Sequence, residues 1–313
     1  MILTDYFRSE RDLTWDFAKQ CGVRHGVIRL PEDEAFDVCD LSHWEAVKKK
    51  FTDFGIEPLI IEPMPNALHD HIKAGDAMRD ECIEKVIRMF PIMDRLNIRT
   101  ICFNFMAHIG WLRTDLDIIE RGGARVTGFD INHFTPTDQK VTAEEMWHNY
   151  EYFIKAVIPH AEKYNIKLAL HPDDPPLPQL GDVSRIMISY KNIKRAMEIV
   201  PSDNLGVTMC QACYLMMGEN LYDVIPKLRD KIFFIHFRNT TGNKYKFRET
   251  FHDNGSIEMG KILHLYNDLG LNVPIRVDHV PSMAGENESN GYTALGRLFA
   301  IGYLKGLLEG LEA

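Results

Sequence analysis

The sequence lacks the features that mark membrane, secreted and nucleic-acid-binding proteins. None of its apolar runs reaches the roughly 18 residues of a membrane span, and it does not begin with a basic region followed by a hydrophobic one. A net charge of −9 disfavours a surface for nucleic acids or anionic lipids. The six cysteines are scattered without paired spacing, which favours reduced thiols. These absences predict a cytoplasmic protein that binds neither membranes nor nucleic acids.

A glycine-rich nucleotide loop is also missing, whereas strand-like and helical segments alternate along all 313 residues. Eight apolar runs have strand character, at residues 1–7, 26–30, 58–61, 100–105, 166–170, 205–209, 233–235 and 274–277. Such alternation implies parallel strands joined by right-handed crossovers. We therefore predict an α/β fold, a single (β/α)8 TIM barrel domain over residues 1–313. An open doubly wound sheet is the alternative, which the missing loop disfavours.

Residues 108–140 form a long stretch without clear periodicity. Loops of this length in compact domains are usually functional or disordered. The sequence therefore predicts an extended loop segment after the fourth strand, which carries Trp111 and Arg113.

Four successive strand-like runs are each followed by a residue of a type that commonly binds metal ions. His171 follows the fifth run, Cys210 the sixth and His236 the seventh. Asp278 follows the eighth. In a closed barrel these ends meet at the carboxyl-end face, where the active sites of this fold lie. A mixed nitrogen, sulfur and carboxylate set suits Zn²⁺, Mn²⁺ or Fe²⁺, so the pattern predicts a divalent metal site.

Two cysteines lie close to this predicted site. Cys210 directly ends the apolar run at 205–209, whereas Cys213 comes later, in a predicted loop or turn. We therefore expect Cys210, not Cys213, to bind the metal.

Several longer stretches carry a more specific pattern. They read His-Asp-His-Ile-Lys-Ala-Gly at 69–75, Ile-Cys-Phe-Asn-Phe-Met at 101–106, Leu-His-Pro-Asp-Asp-Pro-Pro at 170–176, Phe-Ile-His-Phe-Arg-Asn at 234–239 and Arg-Val-Asp-His-Val-Pro at 276–281. Together they resemble the mannonate dehydratase family, sugar-acid lyases with a xylose-isomerase-like barrel. The resemblance extends over roughly residues 57–310.

The resemblance implies a reaction and the residues that perform it. The reaction is the dehydration of D-mannonate to 2-keto-3-deoxy-D-gluconate, with a metal, usually Mn²⁺ and alternatively Fe²⁺ or Zn²⁺, on the four ligands named above. His279 and Tyr292 are implied in proton transfer, without a decision on which is the base. The side chains expected to bind the sugar acid are Arg238, Asn239, Arg276 and Asn104. We also expect a cytoplasmic homodimer that acts in glucuronate catabolism.

Two departures from the family pattern leave other functions open. After the cysteine the family usually continues Thr-Gly-Ser, whereas residues 210–214 read Cys-Gln-Ala-Cys-Tyr. Residues 29–32, Arg-Leu-Pro-Glu, replace the histidine-containing strand end of the family. A sugar isomerase or epimerase on the same barrel, or a non-catalytic sugar-acid-binding homologue, is the alternative. A phosphodiester nuclease is opposed by the acidic net charge.

Overall fold

The computed structural model describes residues 1–287 and 291–311 of the protein. Eight parallel strands close into a barrel in which each strand lies beside the barrel strands that precede and follow it in the chain. Their bounds are Ile2–Phe7, His25–Ile28, Glu57–Ile61, Thr100–Phe103, Lys167–Leu170, Leu205–Cys210, Ile232–Phe237 and Pro274–Val277. The first strand pairs with the eighth, with Thr4 beside Arg276, and this pairing closes the circle. The predicted barrel is confirmed.

Helices connect the strands and cover the outside of the barrel. In the described residues they are Leu13–Gln20, Leu41–Phe54, Asn66–Ala74, Arg79–Arg95, Ala143–Lys163, Tyr190–Glu198, Gln211–Met217, Leu221–Leu228, Met259–Asp268 and Ala294–Gly310. Asp12 caps the first helix, and Thr142 with Glu145 forms the predicted capping box. The sequence pattern does not predict Asn66–Ala74 and Gln211–Met217, because such short helices give little periodic signal. None of these helices is both long and apolar enough to cross a membrane.

The barrel wall is packed on both of its faces. Every residue of Ile232–Phe237 is buried, as in a parallel strand that faces the barrel core on one side and helices on the other. On the outside, Trp15 stacks on Phe51 with ring centroids 4.4 Å apart and thereby joins the first two helices. A packed wall of this kind holds the side chains at its carboxyl end in fixed positions.

Residues 108–140 do not form the predicted loop. Asp115–Ile119 and Arg125–Asp130 pair as antiparallel strands, and Lys246–Glu249 and Thr240–Asn243 extend the pair into a four-stranded sheet, here called the outer sheet. The last two strands belong to an insertion after the seventh barrel strand. Because the two halves of the outer sheet are far apart in sequence, local periodicity does not reveal their pairing.

The outer sheet brings two charged residues to the carboxyl end of the barrel. Glu249 is the last residue of one of its strands, and Arg113 lies just before another. Both side chains are buried. The prediction of an inserted segment after the fourth barrel strand is therefore correct, but the prediction that this segment is a loop is wrong.

The last helix fixes the segment that follows the eighth barrel strand. Thr293 donates a hydrogen bond to the carbonyl oxygen of Pro281 at 2.9 Å, and Arg297 forms an ion pair with the first barrel strand. A β-carbon on Gly296 would lie 2.0 Å from the same carbonyl oxygen, so only glycine permits the close approach. Tyr292, directly before Thr293, is thereby held near the barrel.

Candidate active site

A cavity of about 1100 Å³ opens at the carboxyl ends of the barrel strands. Eight of the residues predicted from the sequence line it: Asn104, His171, His236, Arg238, Arg276, Asp278, His279 and Tyr292. The lining also includes Glu62 and Trp111, which the sequence analysis did not assign to the site. The cavity therefore gathers side chains from most of the barrel strands.

His171, Cys210 and His236 form a compact group of possible metal ligands. Their ligand atoms all lie within 4.8 Å of one another, and the two imidazole centroids are 4.9 Å apart. Cys210 and His236 are partners in the register of adjacent strands, and His171 directly follows the next strand along. The order of the strands thus brings together three residues that are distant in sequence.

Asp278 lies beside this group. Its Oδ2 is 3.7 Å from His236 Nδ1, and its Oδ1 accepts hydrogen bonds of 3.0 Å from both Arg276 and Tyr292. Burial alone would raise the pKa of this carboxyl, but the surrounding imidazole and guanidinium groups, led by His279, hold the pKa well below its usual range. Asp278 is therefore a carboxylate that faces the histidines.

The surroundings of the Cys210 sulfur favour its thiolate form. Burial would raise its pKa, but hydrogen bonds from Cys213 and from two histidines, with the charge of Arg238, lower the pKa well below its usual value. Burial and the adjacent sulfur raise the pKa of Cys213 well above its usual value, so Cys213 stays a thiol. Cys213 also lies in the helix Gln211–Met217 and not in the predicted loop.

His171 presents one ring nitrogen to the group. Its Nδ1 lies 2.6 Å from the carbonyl oxygen of Pro172, and donation of that proton leaves Nε2 as the ligand atom. Burial disfavours the imidazolium, but the Cys210 sulfur and the Asp278 carboxylate raise the pKa of His171 to about 9. The site therefore attracts positive charge, either a proton or a metal ion.

Glu62 is a site residue that the sequence analysis missed. It directly follows the third barrel strand, with Oε1 2.9 Å from His236 Nε2 and Oε2 2.9 Å from Arg276 Nε. The rule that identified the four candidate ligands, a polar residue at a strand end, also identifies Glu62. Among the described residues, neither ring nitrogen of His236 has a well-aligned hydrogen bond. Buried polar atoms are seldom left in that state unless they bind another group.

Two arginines and two carboxylates form a closed network beside the cavity, here called the ion network. Arg113 binds Asp174 through hydrogen bonds of 2.8 and 2.9 Å and reaches Glu249 Oε1 at 2.6 Å. Arg238 bridges the same carboxylates, at 2.7 Å from Asp174 and 2.9 Å from Glu249. All four side chains are at most 1% exposed. Burial opposes ionisation of Glu249, but the two guanidinium groups lower its pKa to about 2.

The structure departs from the predicted substrate-binding set at two residues. Asn239 does not line the cavity: its amide donates to the carbonyl oxygens of His252 and Ile257, and its Oδ1 accepts from the backbone of Thr240 and Ile257. These bonds use its full hydrogen-bonding capacity, so the structure contradicts a substrate-binding role for Asn239. Arg238 lines the cavity, but its guanidinium is engaged by the ion network.

Arg276 and Asn104 line the cavity. Arg276 binds Glu62 through two hydrogen bonds, of 2.9 and 3.1 Å, which orient its guanidinium plane. Asn104 accepts a hydrogen bond from the backbone of Met106 at 3.1 Å. Both side chains are therefore fixed by neighbours at the cavity wall.

His279 and Tyr292 are neighbours in the cavity. Their rings meet edge to face at 5.0 Å, and Trp111 packs on His279 at 4.8 Å. His279 Nδ1 is 3.0 Å from Glu249 Oε1, and donation to that oxygen leaves Nε2 as a proton acceptor. Tyr292 donates to Asp278, and burial together with that negative charge raises the pKa of Tyr292 well above its usual value. Tyr292 therefore keeps its proton.

Comparisons with known proteins match nearly the whole chain. The family model described as D-mannonate dehydratase (UxuA) matches residues 2–142 and 132–313. A mannonate dehydratase of Brachyspira hyodysenteriae is 30% identical in an alignment 330 residues long, gaps included. The alignment covers 93% of this chain and 92% of that protein. The crystal structure of mannonate dehydratase from Streptococcus suis serotype 2 superposes with a TM-score of 0.89 at 27% identity, covering 99% of this chain and 93% of that one.

A solved D-tagatose 3-epimerase-like protein shares the barrel fold alone. Its TM-score is 0.64 at 14% identity, over 100% of this chain and 98% of that one. The likeness to the epimerase-like protein is thus much weaker in both sequence and structure than the likeness to the dehydratases.

Proposed function

The chain belongs to the D-mannonate dehydratase family, and we propose that it is a metal-dependent hydro-lyase that dehydrates D-mannonate to 2-keto-3-deoxy-D-gluconate. One observation carries the proposal. A proton acceptor and a proton donor lie within reach of the same carboxylate oxygen: His279 Nε2 is 3.8 Å and Tyr292 Oη is 3.0 Å from Asp278 Oδ1. Dehydration needs such a pair, because it removes a proton from C2 and a hydroxyl group from C3.

The four candidate ligands at the carboxyl ends of the barrel strands fit a divalent metal ion. His171, Cys210 and His236 offer two nitrogens and a sulfur, and Asp278 adds a neighbouring carboxylate. The lowered pKa of Cys210 favours metal binding at its sulfur. Within the described residues, neither ring nitrogen of His236 makes a well-aligned hydrogen bond, so both keep a lone pair or proton position that a metal site can use. These four residues would hold Mn²⁺, Fe²⁺ or Zn²⁺. When bound, such an ion neutralises the substrate carboxylate and stabilises negative charge that develops beside C2.

His279 is the general base in this proposal. Its Nε2 takes the C2 proton of the sugar acid, and Glu249 stabilises the imidazolium that forms. A positioned base of this kind contributes roughly 10²–10⁴-fold to the rate.

Tyr292 is the general acid. Because its pKa is raised, Tyr292 retains the proton that it donates to the hydroxyl group departing from C3. Asp278 orients the tyrosine through their hydrogen bond. Loss of the proton and of water leaves an enol, which tautomerises to the 2-keto-3-deoxy acid.

The remaining polar residues either contact the substrate or hold a metal ligand in place. We assign Arg276 and Asn104 to contacts with oxygens of the sugar acid, because both line the cavity. We assign Arg238 to the support of Cys210, since its Nη1 lies 3.7 Å from that sulfur and its other donors bind the ion network. The cytoplasmic location and the homodimer expected from the sequence are part of the same proposal.

A panel of aldonic acids, incubated with the purified protein and Mn²⁺, tests the reaction. We expect D-mannonate to give a 2-keto product lighter by one water, measured by mass spectrometry, and a chelated sample to give none. A product of unchanged mass would identify an isomerase or epimerase instead. Metal binding without turnover of any acid would identify a non-catalytic sugar-acid-binding protein.

A further inference from the structure

Two sulfurs lie together at the metal-ligand group. Cys210 ends the sixth barrel strand, and Cys213 is the third residue of the helix Gln211–Met217. Residues three apart at the start of a helix lie on the same side of it. Arg238 Nη1 is 3.7 Å from the sulfur of Cys210 and 3.8 Å from that of Cys213, so one atom contacts both.

We propose that Cys210 and Cys213 are an oxidation site, at which a peroxide joins the two sulfurs in a disulfide and removes a ligand from the metal site. The consequence for the metal rests on the proposed function, whereas disulfide formation does not. Cys210 is the N-cap residue of the helix and Cys213 lies in its first turn. Cα atoms three residues apart across a helical turn are about 5 Å apart, within the range of roughly 4.4–6.8 Å that disulfides need. The backbone therefore permits the bond without a change of fold.

The reaction balances with one peroxide as the oxidant. The thiolate sulfur of Cys210 attacks one peroxide oxygen and the O–O bond breaks. The departing hydroxide takes up the proton that Cys210 released on ionisation and leaves as water. Cys210 is then a sulfenic acid. The sulfur of Cys213 attacks the sulfur of Cys210, the S–O bond breaks, and the hydroxyl group leaves as a second water with the proton of Cys213. Two thiols and hydrogen peroxide thus give one disulfide and two waters.

The cavity reaches side chains that contact the two sulfurs, although neither cysteine lines it. Both sulfurs are buried, but Arg238, which contacts them, lines the cavity, as does His171 next to Cys210. A metal ion held by Cys210 would engage the sulfur that must attack the peroxide. Oxidation is therefore faster in the metal-free protein, and the disulfide in turn prevents metal binding at that sulfur.

Peptide mapping tests the oxidation directly. Metal-free and Mn²⁺-loaded protein are treated with hydrogen peroxide and digested with trypsin, which releases residues 196–227 with these two cysteines and no other. We expect this peptide to lose two hydrogen atoms in mass, at least about tenfold faster without metal, and to recover them with dithiothreitol. The Mn²⁺ affinity of the intact oxidised protein should fall at least about tenfold.

Two variants serve as controls. Cys213→Ser should stop at the sulfenic acid, which dimedone traps, and should not lose the two hydrogen atoms. Cys82→Ser, in the helix Arg79–Arg95, should behave as the original protein. A peptide that keeps both thiols while other cysteines react would overturn the proposal. Disulfide formation with unchanged Mn²⁺ affinity would overturn the link to the metal.

The same samples separate this proposal from the proposed function. If the disulfide forms but D-mannonate is not dehydrated, the enzyme assignment fails and the oxidation site stands. If D-mannonate is dehydrated but the pair does not oxidise, the oxidation site fails and the enzyme assignment stands.

Discussion

Replacing Glu249 with glutamine removes a buried negative charge from the centre of the ion network. The carboxylate of Glu249 accepts hydrogen bonds from Arg113 at 2.6 Å and Arg238 at 2.9 Å, and it lies 3.0 Å from His279. Glutamine has nearly the same shape but no charge. In the Glu249→Gln variant, the two buried guanidinium groups are left with Asp174 as their shared carboxylate.

Two routes give the size of the expected loss in stability. The pKa of Glu249 falls from 4.5 to about 2 on folding, and that difference corresponds to about 3 kcal/mol of unfolding free energy. Removing one partner of a buried ion pair costs roughly 3–5 kcal/mol. We therefore expect Glu249→Gln to lower the unfolding free energy by about 3–5 kcal/mol near neutral pH.

The pH dependence of the loss has a definite sign. Because folding lowers the pKa of Glu249, its stabilising effect is complete above the unfolded pKa of 4.5 and is lost as the pH falls toward about 2. The stability difference between the original protein and the variant should therefore shrink as the solution is acidified through that range.

Urea unfolding followed by circular dichroism measures the difference at about pH 7 and about pH 3. Glu258→Gln is the matched control, because Glu258 and its partner Lys261 are 64% and 66% exposed. The control should change stability by less than about 0.5 kcal/mol. A loss below about 1 kcal/mol for Glu249→Gln, or a loss that does not shrink on acidification, would refute the assignment of this buried charge.

The other predictions concern the metal and the proton-transfer pair. Chelation should abolish turnover and Mn²⁺ should restore it; full activity of metal-free protein would contradict this. His171→Ala should lower Mn²⁺ affinity because one donor is lost, and an unchanged affinity would place the metal elsewhere. Cys210→Ala should lose the metal while Cys213→Ser keeps it, as measured by metal analysis, and the reverse would exchange their roles. Tyr292→Phe and His279→Gln should each keep fold and metal but lower kcat roughly a hundredfold or more. A change confined to KM would mark a contact shared by ground and transition states.

Much of the fold and part of the site are already determined by the sequence itself. Apolar runs of strand length alternate with helical periodicity, and eight such units without a glycine-rich nucleotide loop favour a closed parallel barrel over an open sheet. Because parallel strands end on one face, residues at strand ends converge wherever the barrel closes. His171, Cys210, His236 and Asp278 could therefore be placed together from local pattern alone.

The tertiary structure alone decided how the surrounding charges are arranged. Glu249 follows no barrel strand, and only the pairing of two distant insertions in the outer sheet brings it to His279. Asn239 follows Arg238 directly in sequence, yet its side-chain amide forms its hydrogen bonds with backbone atoms of the segment that follows it. The spacing of apolar residues along the sequence indicates where a strand or helix ends. Contacts of a side chain with a distant segment depend on how both segments pack, and no local pattern records that packing.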